Sequence, residues 1–228
     1  MTGLPQFRIV SFDLDGTLVD TAGEIAEAAN RTVEEFGLPR RPVDEITKLI
    51  GAGTKELMLG LLQRIAADGA GPGGALDRAA VLDRFAHHYA ATAGTTCRAY
   101  STAREALVRL RRAGVRLACV TNKEERYSRK VLAACAMENA FDLLVAGDTL
   151  AVKKPDARVL GHVVAALGGE RAGTVHVGDS RTDVEAARNA GVAAWVVPYG
   201  YNRGVPIEES LPDLICRDLG DVADRVLG

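Results

Sequence analysis

Asp13 and Asp15 lie in Phe12-Asp13-Leu14-Asp15-Gly16-Thr17, and Asp179 and Asp183 in Gly178-Asp179-Ser180-Arg181-Thr182-Asp183. Both groups follow short apolar, β-branched runs, at residues 7–14 and 174–177. Thr121-Asn122 closes a third such run, and Lys153-Lys154-Pro155 falls between elements. Carboxylates drawn together repel one another and need a cation, and hard oxygens at this density suit Mg²⁺. A lysine such as Lys154 neutralises further charge and holds an anionic substrate. One reaction uses all of these groups. A carboxylate attacks phosphorus to give an aspartyl phosphate, which divides a hard step into two. Mg²⁺ and Lys154 offset the charge on the transferring group. A second carboxylate two residues on protonates the leaving alcohol, then deprotonates water.

The elements that position these groups are legible as alternating strands and helices. Beyond residue 99, strands are expected at 115–121, 141–145, 174–177, 193–197 and 214–216. Helices are expected at 102–113, 125–137, after Pro155, and at 183–190 before Gly191. That alternation predicts a parallel sheet covered on both faces, an α/β Rossmann-like three-layer sandwich. Ligands of such a sheet bind beyond the carboxyl ends of its strands, where the polar groups above fall. Between residues 19 and 94 no strand is expected. Thr21 and Glu24 form a capping-box pattern, Ile25, Ala29, Val33 and Phe36 give a helical stripe, and Gly37 ends it. Further helices are expected at 43–50, 54–67 and 76–93, with a Gly/Pro-rich break at 69–74. This helical stretch is expected to form a second domain.

The composition permits a packed core: 47% of the 228 residues are hydrophobic and 25% charged. Lys and Arg number 28 against 30 acidic residues, so no broad footprint for nucleic acid or an anionic membrane exists. Attraction for a phosphate must be local. Cys97, Cys119, Cys135 and Cys216 form no CxxC pair and read as free thiols of a reducing compartment. No basic-then-apolar leader and no membrane-length run is present, so the expectation is a cytoplasmic protein.

The motifs resemble those of the haloacid dehalogenase-like superfamily, over essentially the whole chain. Asp13-Leu14-Asp15-Gly16-Thr17-Leu18 resembles its first motif, Thr121-Asn122 its second, Lys154-Pro155 its third, and the segment from Gly178 to Asp183 its fourth. The resemblance implies a discontinuous core, residues 1–17 and 97–228, with residues 18–96 as a small helical cap of the C1 type. It implies Asp13 as nucleophile, Asp15 as general acid/base, and Mg²⁺ on Asp13, the Asp15 backbone carbonyl and Asp179. Thr121, Asn122 and Lys154 would bind the phosphoryl group, with Asp183 supporting from behind. A closer resemblance, to the phosphoglycolate phosphatase branch, rests on Val120-Thr121-Asn122-Lys123, Lys153-Lys154-Pro155 and Pro198-Tyr199-Gly200-Tyr201-Asn202-Arg203-Gly204. It implies a phosphomonoesterase acting on a small phosphorylated metabolite, with 2-phosphoglycolate the best single substrate. Ala157 departs from that branch, which often has a second proline there; the loss costs only a favourable helix start.

Plainer roles stand beside several of these. Asp183 also suits a helix N-terminus, Thr121 a helix cap, and Lys153 a solvated surface. Gly51-Ala52-Gly53-Thr54-Lys55 is either a flexible helix start or a cap loop whose Lys55 pairs with a substrate carboxylate. Lys123 is a weaker candidate for the same contact. Asp20 reads as shaping the hinge into the cap, His87 and His88 as surface or packing residues, and Trp195 as core. A sugar phosphomutase of the β-phosphoglucomutase type would use the same aspartate pair. A non-enzymatic phospho-switch shares the acidic pocket, but such domains are about half this length and lack an inserted cap. A dehalogenase or phosphonate hydrolase would leave Asp15 without a task. Oligomeric state is left open.

Overall fold

A computed structural model describes residues 7–69 and 76–228. Most of the expected break at 69–74 lies outside the described residues. The main sheet has six parallel strands in the order β5-β4-β1-β6-β7-β8. They are β1 (Ile9–Phe12), β4 (Arg116–Val120), β5 (Leu143–Val145), β6 (Thr174–Gly178), β7 (Ala193–Val196) and β8 (Leu214–Ile215). The central strand β1 is buried throughout, as a strand covered on both faces must be.

Alternate residues serve opposite layers. Val10, Phe12, Leu117, Cys119, Val175 and Val177 join one cluster, with α5 (Ala103–Arg112) and α9 (Leu219–Leu227). Ile9, Ala118 and Val120 join the other, with α7 (Ala157–Ala166) and α8 (Arg181–Ala190). This is the three-layer sandwich expected. Trp195 is buried and meets Phe7 edge-to-face, at 5.2 Å between centroids.

A separate cluster holds the helices between β1 and β4: α1 (Ala22–Glu35), α2 (Val43–Thr47), α3 (Thr54–Ala67) and α4 (Arg78–Thr92). Ile25, Ala29 and Val33 of α1 face Met58 and Leu61 of α3 and Phe85 and Tyr89 of α4 in that cluster. The remaining helix of the sandwich, α6 (Glu125–Ala134), follows β4.

The sequence reading needs three corrections here. The helical lobe does not leave the core as bare coil. The strand β2 (Val19–Asp20) pairs antiparallel with β3 (Arg98–Ala99), so the chain leaves and returns side by side. A two-residue strand is too short to carry a period and so escapes a pattern search. The C-terminal helix α9 was not expected, although Leu219, Val222, Ala223 and Val226 carry its buried stripe. Thr21 does not cap its helix through its side chain. Thr21 donates to Asp15 instead, and Glu24 accepts from the backbone of Gly94 and Cys97. The capping box present is Ser180 with Asp183, at the start of α8.

Candidate active site

Parallel pairing sets the site before any side chain is considered. Phe12 of β1 is in register with Cys119 of β4 and Val177 of β6. The residues just past these strands, Asp13, Thr121 and Asp179, therefore emerge together at the carboxyl edge of the sheet. The Asp13 amide donates to Val177 O at 2.9 Å, which extends the β1–β6 ladder to the first functional residue. Beyond it the chain turns sharply: Leu18 and Val19 both donate to Leu14 O, and Gly16 takes φ +83°. A Cβ on Gly16 would stand 2.4 Å from Asp179 Oδ2, so this turn needs glycine.

Lys154 is the hub of the charges. Its ammonium is 2.9 Å from Asp13 Oδ1 and 2.7 Å from Asp183 Oδ1. Burial alone would lower its pKa, but Asp13 and Asp183 together push it up, and it is a cation. Asp183 is buried, yet Lys154 and His176 hold its pKa far below the usual carboxylate range. Both its oxygens are engaged: Oδ1 by Lys154 and His176, Oδ2 by Ser180 Oγ at 2.6 Å and Ser180 N at 3.1 Å. His176 continues the chain to Ser11 Oγ, 2.9 Å from its Nδ1. Asp183 thus caps α8 and holds Lys154 at once, and both expected roles meet in one residue.

Asp13 and Asp179 are short of positive charge. Burial, against the pull of Lys154, raises Asp13 to about 7. Burial and the neighbouring Asp183 and Asp13 raise Asp179 well above its ordinary value. Asp179 accepts from Thr17 Oγ1 at 2.7 Å and from the Tyr201 amide, and no cationic side chain among the described residues pairs with it. Asp13, Asp179 and Asp183 offer carboxylate oxygens within 4.8 Å of one another. Hard oxygens and uncompensated buried charge form a divalent-cation site. Asp13 and Asp179 have oxygens to offer it, and Asp183 is already committed.

On the open side of Asp13 lies a cavity of about 30 Å³, room for one or two waters. Its core wall is Asp13, Asp15, Thr121, Asn122 and Lys123; its far wall comes from the helical lobe, with Ile25, Ile50 and Leu57. Asp15 Oδ1 accepts from Thr21 Oγ1 at 2.6 Å and from the Lys123 ammonium. Lys123 is buried and lies 5.3 Å from the Tyr89 ring centroid. Sequence reasoning ranked it below Lys55, and nothing local signals its burial. Lys55, by contrast, is exposed and does not line the cavity, whereas Thr54 does. Successive helical residues point about 100° apart, so only one of that pair faces inward. The Asn122 side chain also differs from expectation. It donates to Gly51 O and Lys154 O, both at 3.0 Å, and accepts from Lys154 N at 2.9 Å. It ties the lysine loop to the glycine turn of the lobe. Nor does Thr121 cap α6, whose N-cap is Glu124.

The chain belongs to the haloacid dehalogenase-like hydrolase family, whose pattern it matches over residues 10–197. Within that class its similarity is to phosphatases, and it is an enzyme of that kind. A phosphoglycolate phosphatase of Nitrosospira multiformis is 40% identical over 93% of this chain and 92% of its own length. A plasmid-encoded phosphoglycolate phosphatase of Cupriavidus necator is 41% identical over 84% of this chain and 81% of its own. Among crystal structures, a predicted phosphoglycolate phosphatase of Haemophilus somnus superposes with a TM-score of 0.92 at 28% identity, over 97% of this chain and 99% of that one.

Proposed function

We propose that the chain is a Mg²⁺-dependent phosphomonoesterase that works through a phosphoaspartate on Asp13, with 2-phosphoglycolate as substrate. The observation that carries the reading is that Asp13 and Asp15 line one cavity, each with one carboxylate oxygen held by a buried lysine. Asp13 attacks phosphorus while the bond to the leaving oxygen breaks, and Asp15 gives that oxygen its proton. Asp15 then takes a proton from water, which attacks phosphorus and breaks the bond to Asp13, releasing phosphate. Lys154 favours the ionised form of Asp13 that attacks, and Thr121 binds the phosphoryl group. Asp13, Asp179 and the Asp15 backbone carbonyl would hold the cation, which would neutralise charge on the transferring group.

The lobe of α1–α4 acts as the cap over this chemistry. Lys123 is the one cationic side chain among the cavity's lining residues, and it takes the substrate-carboxylate role expected of Lys55. The four cysteines are free thiols, which suits the reducing cytoplasm. No helix among the described residues is long and apolar enough to cross a membrane. A panel of phosphorylated metabolites assayed for phosphate release with Mg²⁺ tests the reading. The highest kcat/KM is expected for 2-phosphoglycolate, and a preference for sugar phosphates would reject the substrate.

A further inference from the structure

Helix α1 opens the lobe, and its first turn must find partners for its free amides. Its own N-cap residue supplies none, because the Thr21 hydroxyl is spent on Asp15. Asp20 Oδ1 accepts from Ala22 N at 3.2 Å, and a second partner comes from the far end of the chain. The hydroxyl of Tyr201, in the loop after β7, accepts from Thr21 N at 2.9 Å and Ala22 N at 3.1 Å. It donates to Asp20 Oδ1, so its one proton and both lone pairs are engaged. Its ring packs in the lobe's hydrophobic cluster, while its backbone belongs to the core.

That backbone is part of the cation site. The Tyr201 amide donates to Asp179 Oδ2. A Cβ at Gly200 would come within 2.2 Å of the Asp179 side chain, and one at Gly16 within 3.0 Å of the Tyr201 ring. No slack is left in this contact, so a shift of Asp179 must move residues 200–201 with it. A second brace runs alongside. Tyr199 donates to Thr17 O at 3.0 Å and packs at a tilt against Tyr100, 4.2 Å between centroids, next to β3. Thr17 in turn donates to Asp179 Oδ1.

We propose that Tyr201 is a positioning residue that couples the Asp179 cation site to the hinge at Asp20–Ala22, capping α1 across the seam so that a filled site holds the lobe closed. The inference rests on the cation-site reading above, and Tyr201 touches no reacting atom. It also assigns a task to Asp20, whose carboxylate anchors the tyrosine hydroxyl.

Tyr201→Phe removes only the hydroxyl and keeps the ring and the amide that serves Asp179. Hydrogen exchange of the peptide spanning residues 19–25 is followed in both proteins, with and without Mg²⁺, beside Mg²⁺ affinity by calorimetry. In the wild type, Mg²⁺ is expected to slow exchange there by about 5–30-fold, the scale of one helix cap. In Tyr201→Phe that peptide exchanges fast with or without Mg²⁺, Mg²⁺ affinity falls by about the same 5–30-fold because the coupling is reciprocal, and exchange in β1 and β4 is unchanged. On 2-phosphoglycolate the loss is expected in kcat more than in KM, because closure and not encounter is impaired. Equal Mg²⁺-induced protection in the variant would overturn the coupling, as would general exposure of β1 and β4. A wild type that binds Mg²⁺ without slowing exchange overturns the coupling but spares the proposed function. A wild type that binds no divalent cation removes the site reading and the coupling together.

Discussion

The two walls of the cavity are built on opposite principles. On the core side, Asp13, Asp15, Lys123 and Lys154 are joined to one another or to buried partners by short polar contacts. Asp13, Asp15 and Lys123 stand just past strand ends, where the sheet fixes their spacing, and Lys154 reaches them from the loop between β5 and α7. On the lobe side the wall is Ile25, Ile50 and Leu57, carried by helices that join the core through the β2–β3 ribbon, Tyr201 and cross-seam hydrogen bonds such as Asn122 to Gly51 O and Thr54 to Glu124. Among the described residues, polar groups are left without partners at the seam. Glu24 Oε1, Tyr89 Oη and Glu124 Oε2 are buried there without hydrogen-bond partners. Unpaired buried groups cost free energy that opening to water returns. Rigid charge placement thus serves the phosphoryl group, which is common to every substrate. The looser wall shapes the part that differs between substrates.

Variants on each side should separate these roles. The largest effect is expected from Asp13→Asn, which keeps the shape and removes the nucleophile. Turnover should fall by about a thousandfold or more for every phosphomonoester, measured as phosphate release. Exhaustive chelation acts on the same wall. Activity should drop by about 100-fold or more on all substrates and return with added Mg²⁺, because several kcal/mol of charge stabilisation is withdrawn. Lys123→Met reaches across to the substrate. For 2-phosphoglycolate, kcat/KM should fall about 10–100-fold, the scale of one charge-assisted hydrogen bond. For an aryl phosphate without a carboxylate the loss should be clearly smaller, reflecting only the release of Asp15 from its ion pair, and equal losses on both substrates would strip Lys123 of its part in specificity. The smallest effect is expected from Lys55→Ala. Its side chain is exposed and outside the cavity, so both substrates should stay within about twofold. A selective tenfold loss would restore Lys55 to the substrate and show that the lobe turns further inward than this structure has it.

How much of this was legible from the chain follows the same division. Buried parallel strands read as unbroken apolar runs, so Asp13, Thr121 and Asp179 were placed together before any coordinates. The helical lobe was also plain, from the stripe at Ile25, Ala29 and Val33 and from Gly37. Contacts made across the seam were not legible. Thr21 and Glu24 carry a local capping pattern, but Asp15 and the backbone at 94–97 claim those side chains. The α1 cap comes instead from Tyr201, 180 positions away. Lys55 and Lys123 look alike in sequence, and only the packing of α3 and α4 against the β4–α6 loop buries one and exposes the other. The stripe of α9 was present, but its last apolar position lies two residues from the end of the chain, where a pattern has little length to declare itself.

The central claim is that phosphorus is transferred to Asp13 before it reaches water, and reductive trapping tests it most directly. Borohydride reduces an acyl phosphate, but not a free carboxylate, to an alcohol, converting a phosphorylated aspartate into homoserine. Enzyme quenched during turnover of 2-phosphoglycolate with Mg²⁺, reduced with labelled borohydride and digested, should carry label at position 13 and nowhere else. Label at another aspartate, or an Asp13→Asn variant that turns over at the wild-type rate without label, would contradict the account.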